Sequence, residues 1–352
     1  MLANPPFPFP RPPSHLAART TNHSYWAVSD PKIGPKGGSL WQQPLGHSWD
    51  CSSPRTDSPC SRPWSDPTEA VAWCVPGWAN VAYGVQSRSA NNNVTFVKGT
   101  GNQMSRQPGC SGFYVEGPRE ELDAPAEFYY DAKANELLFW PNASDALPDA
   151  VTAATMEEII RIRGSQNTPV RDVTITGIAF TAAAKSFMSP HESTNSGADW
   201  AAPRRAAVAI EGAVNVTVDR CTFDHLGGNA VLWSNYVRNS SVRNSTFEWL
   251  GASGVLAMGT DQMGDATDGE HPHGNVIADS FFRELGVYAK HSGAYAEFVA
   301  GAVTISGCIA FNGPRAAIAL NDGMGGGTRI FHNLLFNMVR ETAGTCAPPK
   351  YA

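Results

Sequence analysis

The chain has 352 residues, of which 16% are charged, with 33 glycines, 26 prolines and a formal net charge of −6. So many turn formers and so few charges leave little room for long surface helices. An acidic balance with no basic cluster excludes nucleic acid and anionic membranes as partners, and no run approaches the roughly 18 apolar residues of a membrane span.

Residues 1–110 show little periodicity and much Pro, Gly, Ser and Trp, so an irregular segment is expected that wraps the start of whatever follows. Met1 to Ser14 is proline-rich and lacks the apolar core of a secretory signal. Six Asn-x-Ser/Thr tripeptides nevertheless begin at Asn22, Asn93, Asn142, Asn215, Asn239 and Asn244. Four cysteines, Cys51, Cys60, Cys74 and Cys110, lie in the loop-rich first third without C-x-x-C spacing, which favours disulfides over zinc. These features point to an extracellular or lumenal protein whose leader is missing from this sequence. Residues 111–155 form an entry region. Within it Glu127-Phe128-Tyr129-Tyr130 and Glu136-Leu137-Leu138-Phe139-Trp140 flank a polar connection and predict a β-hairpin.

From residue 156 to 342 one phrase recurs. Phe223-Asp224-His225-Leu226-Gly227, Phe247-Glu248-Trp249-Leu250-Gly251 and Phe282-Arg283-Glu284-Leu285-Gly286 each follow a β-prone run and precede another. Weaker copies run into Phe180, Phe311 and Phe336, giving spacings of 43, 24, 35, 29 and 25 residues. A period near 25 residues, with insertions at a fixed place, predicts an all-β, right-handed parallel β-helix. Coils about 4.8 Å apart would carry Phe223, Phe247, Phe282, Phe311 and Phe336 in one internal ladder. Glu157 to Ile162 is the expected first coil strand, and Cys221 and Cys308 read as small core residues. Residues 343–352 have no coil pattern, so the last coil is expected to show an unpaired edge near Leu334 and Phe336, as in a truncated solenoid.

Several residues could carry chemistry on such a fold. Asp322 ends a predicted coil strand beside Asn321 and a glycine-rich loop, where it is either a plain Asn-Asp-Gly turn or an accessible carboxylate. Lys290, His291 and Tyr295 lie one coil earlier. His291 suits a general base, and Lys290 or Arg315 suits the carboxylate of a uronate. Glu297 and Glu270 read as solvated turn charges. Trp233, at a strand end, is the better sugar-stacking aromatic. The run Gly259 to His273 places Asp261, Asp265 and Asp268 near His271 and His273, a chemically mixed set. A solvated loop is expected there, and no metal or cofactor is assigned.

Further segments resemble one group of proteins. These are Glu120 to Asp131 with Leu137 to Pro141, Lys290 to Tyr295, Phe311 to Ala316, Asn321 to Gly327 and Asn333 to Thr342. Across roughly 111–342 the chain resembles the pectin-lyase-like superfamily of right-handed parallel β-helices, closest to uncharacterised relatives of β-helical glycoside hydrolases with fucosidase or xylanase activity. The resemblance implies a polysaccharide or glycan substrate and favours Asp322 as a functional carboxylate, with His291 as the second catalytic candidate. The substrate contacts expected on such a fold are Arg315, Tyr295, Lys290, Asn321 and Trp233. Proteins of this kind continue after Arg-Glu-Thr with Gly-Asp-His-Gly, whereas here Ala343-Gly344-Thr345-Cys346 follows, so an acid or base kept there has no counterpart. Three functions fit. A polysaccharide glycoside hydrolase comes first, a uronate lyase second, and a non-catalytic glycan-binding solenoid third.

Overall fold

The computed structural model describes residues 16–17, 64–74, 81–88, 94–101, 113–122, 127–141, 147–193, 201–260, 266–321 and 326–338. Asp322, residues 343–352, Asp261, Asp265, Cys51, Cys60 and Cys110 lie outside them.

Three parallel sheets run the length of the solenoid, each with six strands in its main path, and the third has a seventh, Val170–Arg171, paired beside that path. The first sheet stacks Thr174–Thr176, Thr217–Asp219, Ser241–Arg243, Val276–Ala278, Thr304–Ser306 and Arg329–Phe331. Its middle residues, Ile175, Val218, Val242, Ile277, Ile305 and Ile330, are register partners down the stack. The second sheet runs from Ala179–Thr181 to Leu334–Phe336. The third, wide sheet begins at Ile160–Arg163 and continues through Ala206–Val214, Asn229–Arg238, Val255–Met258, Tyr295–Phe298 and Ile318–Asn321. The chain is therefore an all-β parallel solenoid, and alternation within each strand sends one set of side chains into its interior.

The phenylalanine ladder is real but shorter than expected. Phe180, Phe223, Phe247 and Phe282 stack with ring centroids 4.8, 4.8 and 4.5 Å apart and nearly parallel planes. Ala310 and then Leu335 take the next two slots. Phe311 and Phe336 are one residue further along and so turn outward, where they stack on each other at 4.7 Å. A one-residue offset moves a side chain to the opposite face, which is why the expected placement of these two rings fails.

Corners between strands are made by residues in the left-handed region. One column contains Asp172, Asn215, Asn239, Gly274, Ala302 and Gly327. A second contains Gly177, Arg220, Asn244, Asp279, Gly307 and His332. The third contains Ala182, His225, Trp249, Glu284, Asn312 and Asn337. All have φ between +48° and +76°. Asn, Asp and Gly suit this conformation, and the Asn amides also bond across coils. Asn215 Nδ2 donates to Asp172 at 2.6 Å, and Asn244 Nδ2 to Asp219 at 2.8 Å. Gly212, at φ +56°, is more demanding, because a Cβ there would meet the Gly164 carbonyl carbon at 2.2 Å. Gly212→Ala is expected to lose about 1–3 kcal/mol, read from a shifted urea midpoint, and an unchanged midpoint would show that the two turns can part freely.

The first third is more regular than its composition suggests. Val94–Gly101, Val81–Arg88, Val71–Cys74 and Phe113–Glu116 form a four-stranded antiparallel sheet. Trp73 of this sheet packs on Phe187 and Tyr288 of the solenoid, with centroids 4.6 and 6.3 Å away. The predicted hairpin forms between Glu127–Asp131 and Glu136–Phe139. At the other end no strand among the described residues pairs beyond the last coil, and Leu334 and Phe336 are 56% and 45% exposed. No helix among the described residues is long and apolar enough to cross a membrane.

Candidate functional site at the edges of the wide sheet

The wide sheet has an inner and an outer face, and two of the expected substrate contacts fall on the inner one. Trp233 is fully buried in the ladder Ile162, Ile210, Trp233, Ala257, Glu297 and Leu320, so it offers no ring to a sugar. Val231 precedes it by two residues and faces the same core. Tyr295 is likewise core, and its hydroxyl donates to Glu297 Oε2 at 2.6 Å. Glu297 is thus an interior carboxylic acid and not a solvated turn charge. Burial pushes its pKa up to about 7 against the smaller opposing effect of the Tyr295 hydrogen bond.

The remaining candidates separate to opposite edges. Lys290 and His291 precede the strand Tyr295–Phe298, and Arg315 precedes Ile318–Asn321, so all three belong to the edge where strands enter. Asn321 ends its strand and belongs to the exit edge. Four strand residues span about 13 Å, so Asn321 stands at the edge of the wide sheet opposite to that of His291 and Arg315. Lys290 is buried, and its Nζ donates to the carbonyls of Gly286 and Val287 at 3.0 Å each. It closes the turn that presents His291, which is a structural duty that sequence alone assigned to substrate.

His291, 5% exposed, lines a small cleft of about 30 Å³ at the entry edge. His191 lines it from another element, the antiparallel hairpin His191–Ser193 and Ala201–Pro203. Asn229, Ser253 and Ser292 add polar groups, and Trp73 and Phe187 close the cleft with apolar surface. His191 Nδ1 lies 2.8 Å from the Ser189 carbonyl. A carbonyl only accepts, so this bond places the ring proton on Nδ1 and leaves Nε2 as the basic nitrogen of the neutral ring. No carboxylate is among the described residues lining the cleft.

A polar network sits at the exit edge. Arg204, immediately after the hairpin, forks onto Glu192 with bonds of 2.7–3.0 Å. Its Nη1 donates to Ser234 Oγ at 3.0 Å, Asn235 Oδ1 at 3.2 Å and the Met258 carbonyl at 3.0 Å, while Nη2 reaches the Gly259 carbonyl at 3.1 Å. Asn235 Nδ2 in turn donates to Glu211 at 3.1 Å. One guanidinium therefore ties the hairpin to two successive coils. The loop before His273 is held similarly, with Arg238 donating to the carbonyls of Gly269 and His271. Burial, then the nearby Arg238 charge, lowers the His271 pKa.

Sequence reading missed His191, Glu192, Arg204, Asn229 and Ser253. A signal existed in the 43-residue interval between Phe180 and Phe223, the longest of the series, which holds the whole hairpin.

No family model matches the chain, and no curated protein matches it. Among solved structures, a glycoside hydrolase is similar over 89% of this chain, with a TM-score of 0.62 and 18% sequence identity. This chain covers 58% of the length of that structure. At that identity the likeness carries the solenoid fold.

Proposed function

We propose that the chain is a carbohydrate-active protein, a glycoside hydrolase acting on a polysaccharide in an extracellular or lumenal compartment. The observation that carries the reading is the likeness of nearly the whole chain to a solved glycoside hydrolase. The small histidine cleft at a sheet edge, where coil turns can meet a long substrate, supports it. The exposure of Asn215, Asn239 and Asn244, each opening a glycosylation tripeptide, supports the compartment. Asp322, directly after Asn321, is the carboxylate assigned to acid–base work, with Arg315 contributing to substrate binding on the entry edge.

The test is to incubate the protein with a panel of plant, algal and bacterial polysaccharides and follow new reducing ends. Asp322→Asn is expected to lower turnover ~10²-fold or more while leaving the melting temperature unchanged. Near-full activity in the variant would return Asn321-Asp322-Gly323 to the status of a turn.

One observation favours a second reading, a uronate lyase. The cleft offers imidazoles without a carboxylate, and Arg315 belongs to the same edge. A base that removes the C5 proton, with a cation holding the uronate carboxylate, would break the C4–O glycosidic bond, release that oxygen as an alcohol and leave an unsaturated, ultraviolet-absorbing product. Its appearance in place of saturated reducing ends would decide for elimination.

A further inference from the structure

We propose that the cleft shared by His191 and His291 is a subsite that reads one hydroxyl group of a saccharide, and that the Arg204–Glu192 pair positions His191 for that task. The proposal rests on the carbohydrate reading and assigns its specificity.

Size comes first. A cleft of about 30 Å³ has room for two or three waters at the roughly 10–15 Å³ that each needs, so it admits a hydroxyl and is too small for a sugar ring. Asn229, Ser253, Ser292 and the two imidazoles carry no fixed charge and together offer both donors and acceptors. A hydroxyl, which donates and accepts at once, is the complementary group, whereas a phosphate or metal ion would call for cations or carboxylates. Part of this lining is already committed: Asn229 donates to the Arg205 carbonyl at 2.9 Å and accepts from the Ser253 amide at 3.0 Å. Those bonds fix the side-chain orientation before any ligand arrives. The wall of the cleft is apolar. Trp73 and Phe187 keep water away from the polar floor, which strengthens each hydrogen bond made there.

His191 reaches this cleft because its hairpin is fastened. Glu192, the next residue, accepts from Arg204, and Arg204 is anchored on Ser234, Asn235, Met258 and Gly259 of two coils. Arg204 is thus a positioning residue that acts on the ligand through His191. A site that hydrogen-bonds a substrate hydroxyl discriminates strongly against the analogue lacking it, because its buried polar groups are left unpaired.

The experiment uses the whole chain with ¹⁵N-labelled histidine and the methyl glycosides of xylose, glucose, galactose and fucose. Binding is detected independently by saturation transfer to the sugar. The expected result is that at least one glycoside binds and shifts the ring signals of both His191 and His291, assigned with His191→Gln and His291→Gln. One of its monodeoxy analogues should bind ~10²-fold more weakly or worse. His191→Gln should weaken binding by roughly 2- to 10-fold with an unchanged melting temperature. Arg204→Met should move the His191 signal and weaken binding, and Arg204→Lys should restore part of both. A glycoside that binds by saturation transfer yet leaves both imidazoles unmoved overturns the subsite and spares the carbohydrate reading. If no glycoside binds, the carbohydrate reading falls and the subsite falls with it.

Discussion

Phe282→Ala is expected to remove about 3–5 kcal/mol of stability, a large fraction of what a domain has. The ring is 1% exposed, stacks at 4.5 Å on Phe247 and presses against Gly254, whose Cβ position lies 2.7 Å from its edge. Truncation would open a cavity between coils that neither neighbour can fill, because Ala310 occupies the slot above. Phe336→Ala is the control. Its ring lies on the outside of the solenoid and is 45% exposed, so its loss should cost about 1 kcal/mol or less. Denaturant melts of the two variants give the comparison. Equal losses would mean that the internal stack contributes no more than a surface pair.

The second large effect depends on pH. Glu297 is 2% exposed inside the solenoid, and its folded pKa is about 7 against an ordinary value of 4.5. Below pH 4.5 both folded and unfolded chains hold the proton, and the group leaves stability unaffected. Between pH 4.5 and 7 the unfolded chain ionises while the folded one stays protonated, so stability falls as pH rises. Above pH 7 the loss levels off at about 3 kcal/mol, from ~1.4 kcal/mol for each pKa unit. Glu297→Gln keeps an acceptor for the Tyr295 hydroxyl and has no charge to bury. The variant should match the parent at pH 4.5 and exceed it by up to about 3 kcal/mol at pH 8, measured by urea unfolding at both values. An identical pH slope in parent and variant would place the titration elsewhere.

Much of the fold was legible because the solenoid repeats its rules locally. Phe223, Phe247 and Phe282 each stand five residues after an inward Val218, Val242 or Ile277. Counting five from Ile305 and Ile330 reaches Ala310 and Leu335, so the misplacement of Phe311 and Phe336 came from following residue type in place of spacing. Trp233 was legible too, since Val231 two residues before it is an obvious core residue. Glu297 was harder. Alternation from Tyr295 sends it inward, but a carboxylate is so seldom buried without a partner that solvent was the natural assignment. The site was least legible, because His191 and His291 are brought together by a hairpin whose docking depends on Arg204 and on coils remote in sequence. Nothing local in either segment records that meeting.

The three corner columns have a consequence for how such a chain can change. From Asp172 to Gly177 to Ala182 the interval is constant, and it repeats unchanged at Asn215, Arg220 and His225 and in every later coil to Gly327, His332 and Asn337. Two sides of each coil are therefore ruled to a fixed length, and all variation in period is taken up by the remainder, which carries the wide sheet, the hairpin and the loop before His273. The molecule behaves as a rack with interchangeable fittings. Segments between the third corner of one coil and the first corner of the next can be swapped for longer or shorter ones without disturbing the stack, so new binding edges can be transplanted onto the same frame one coil at a time.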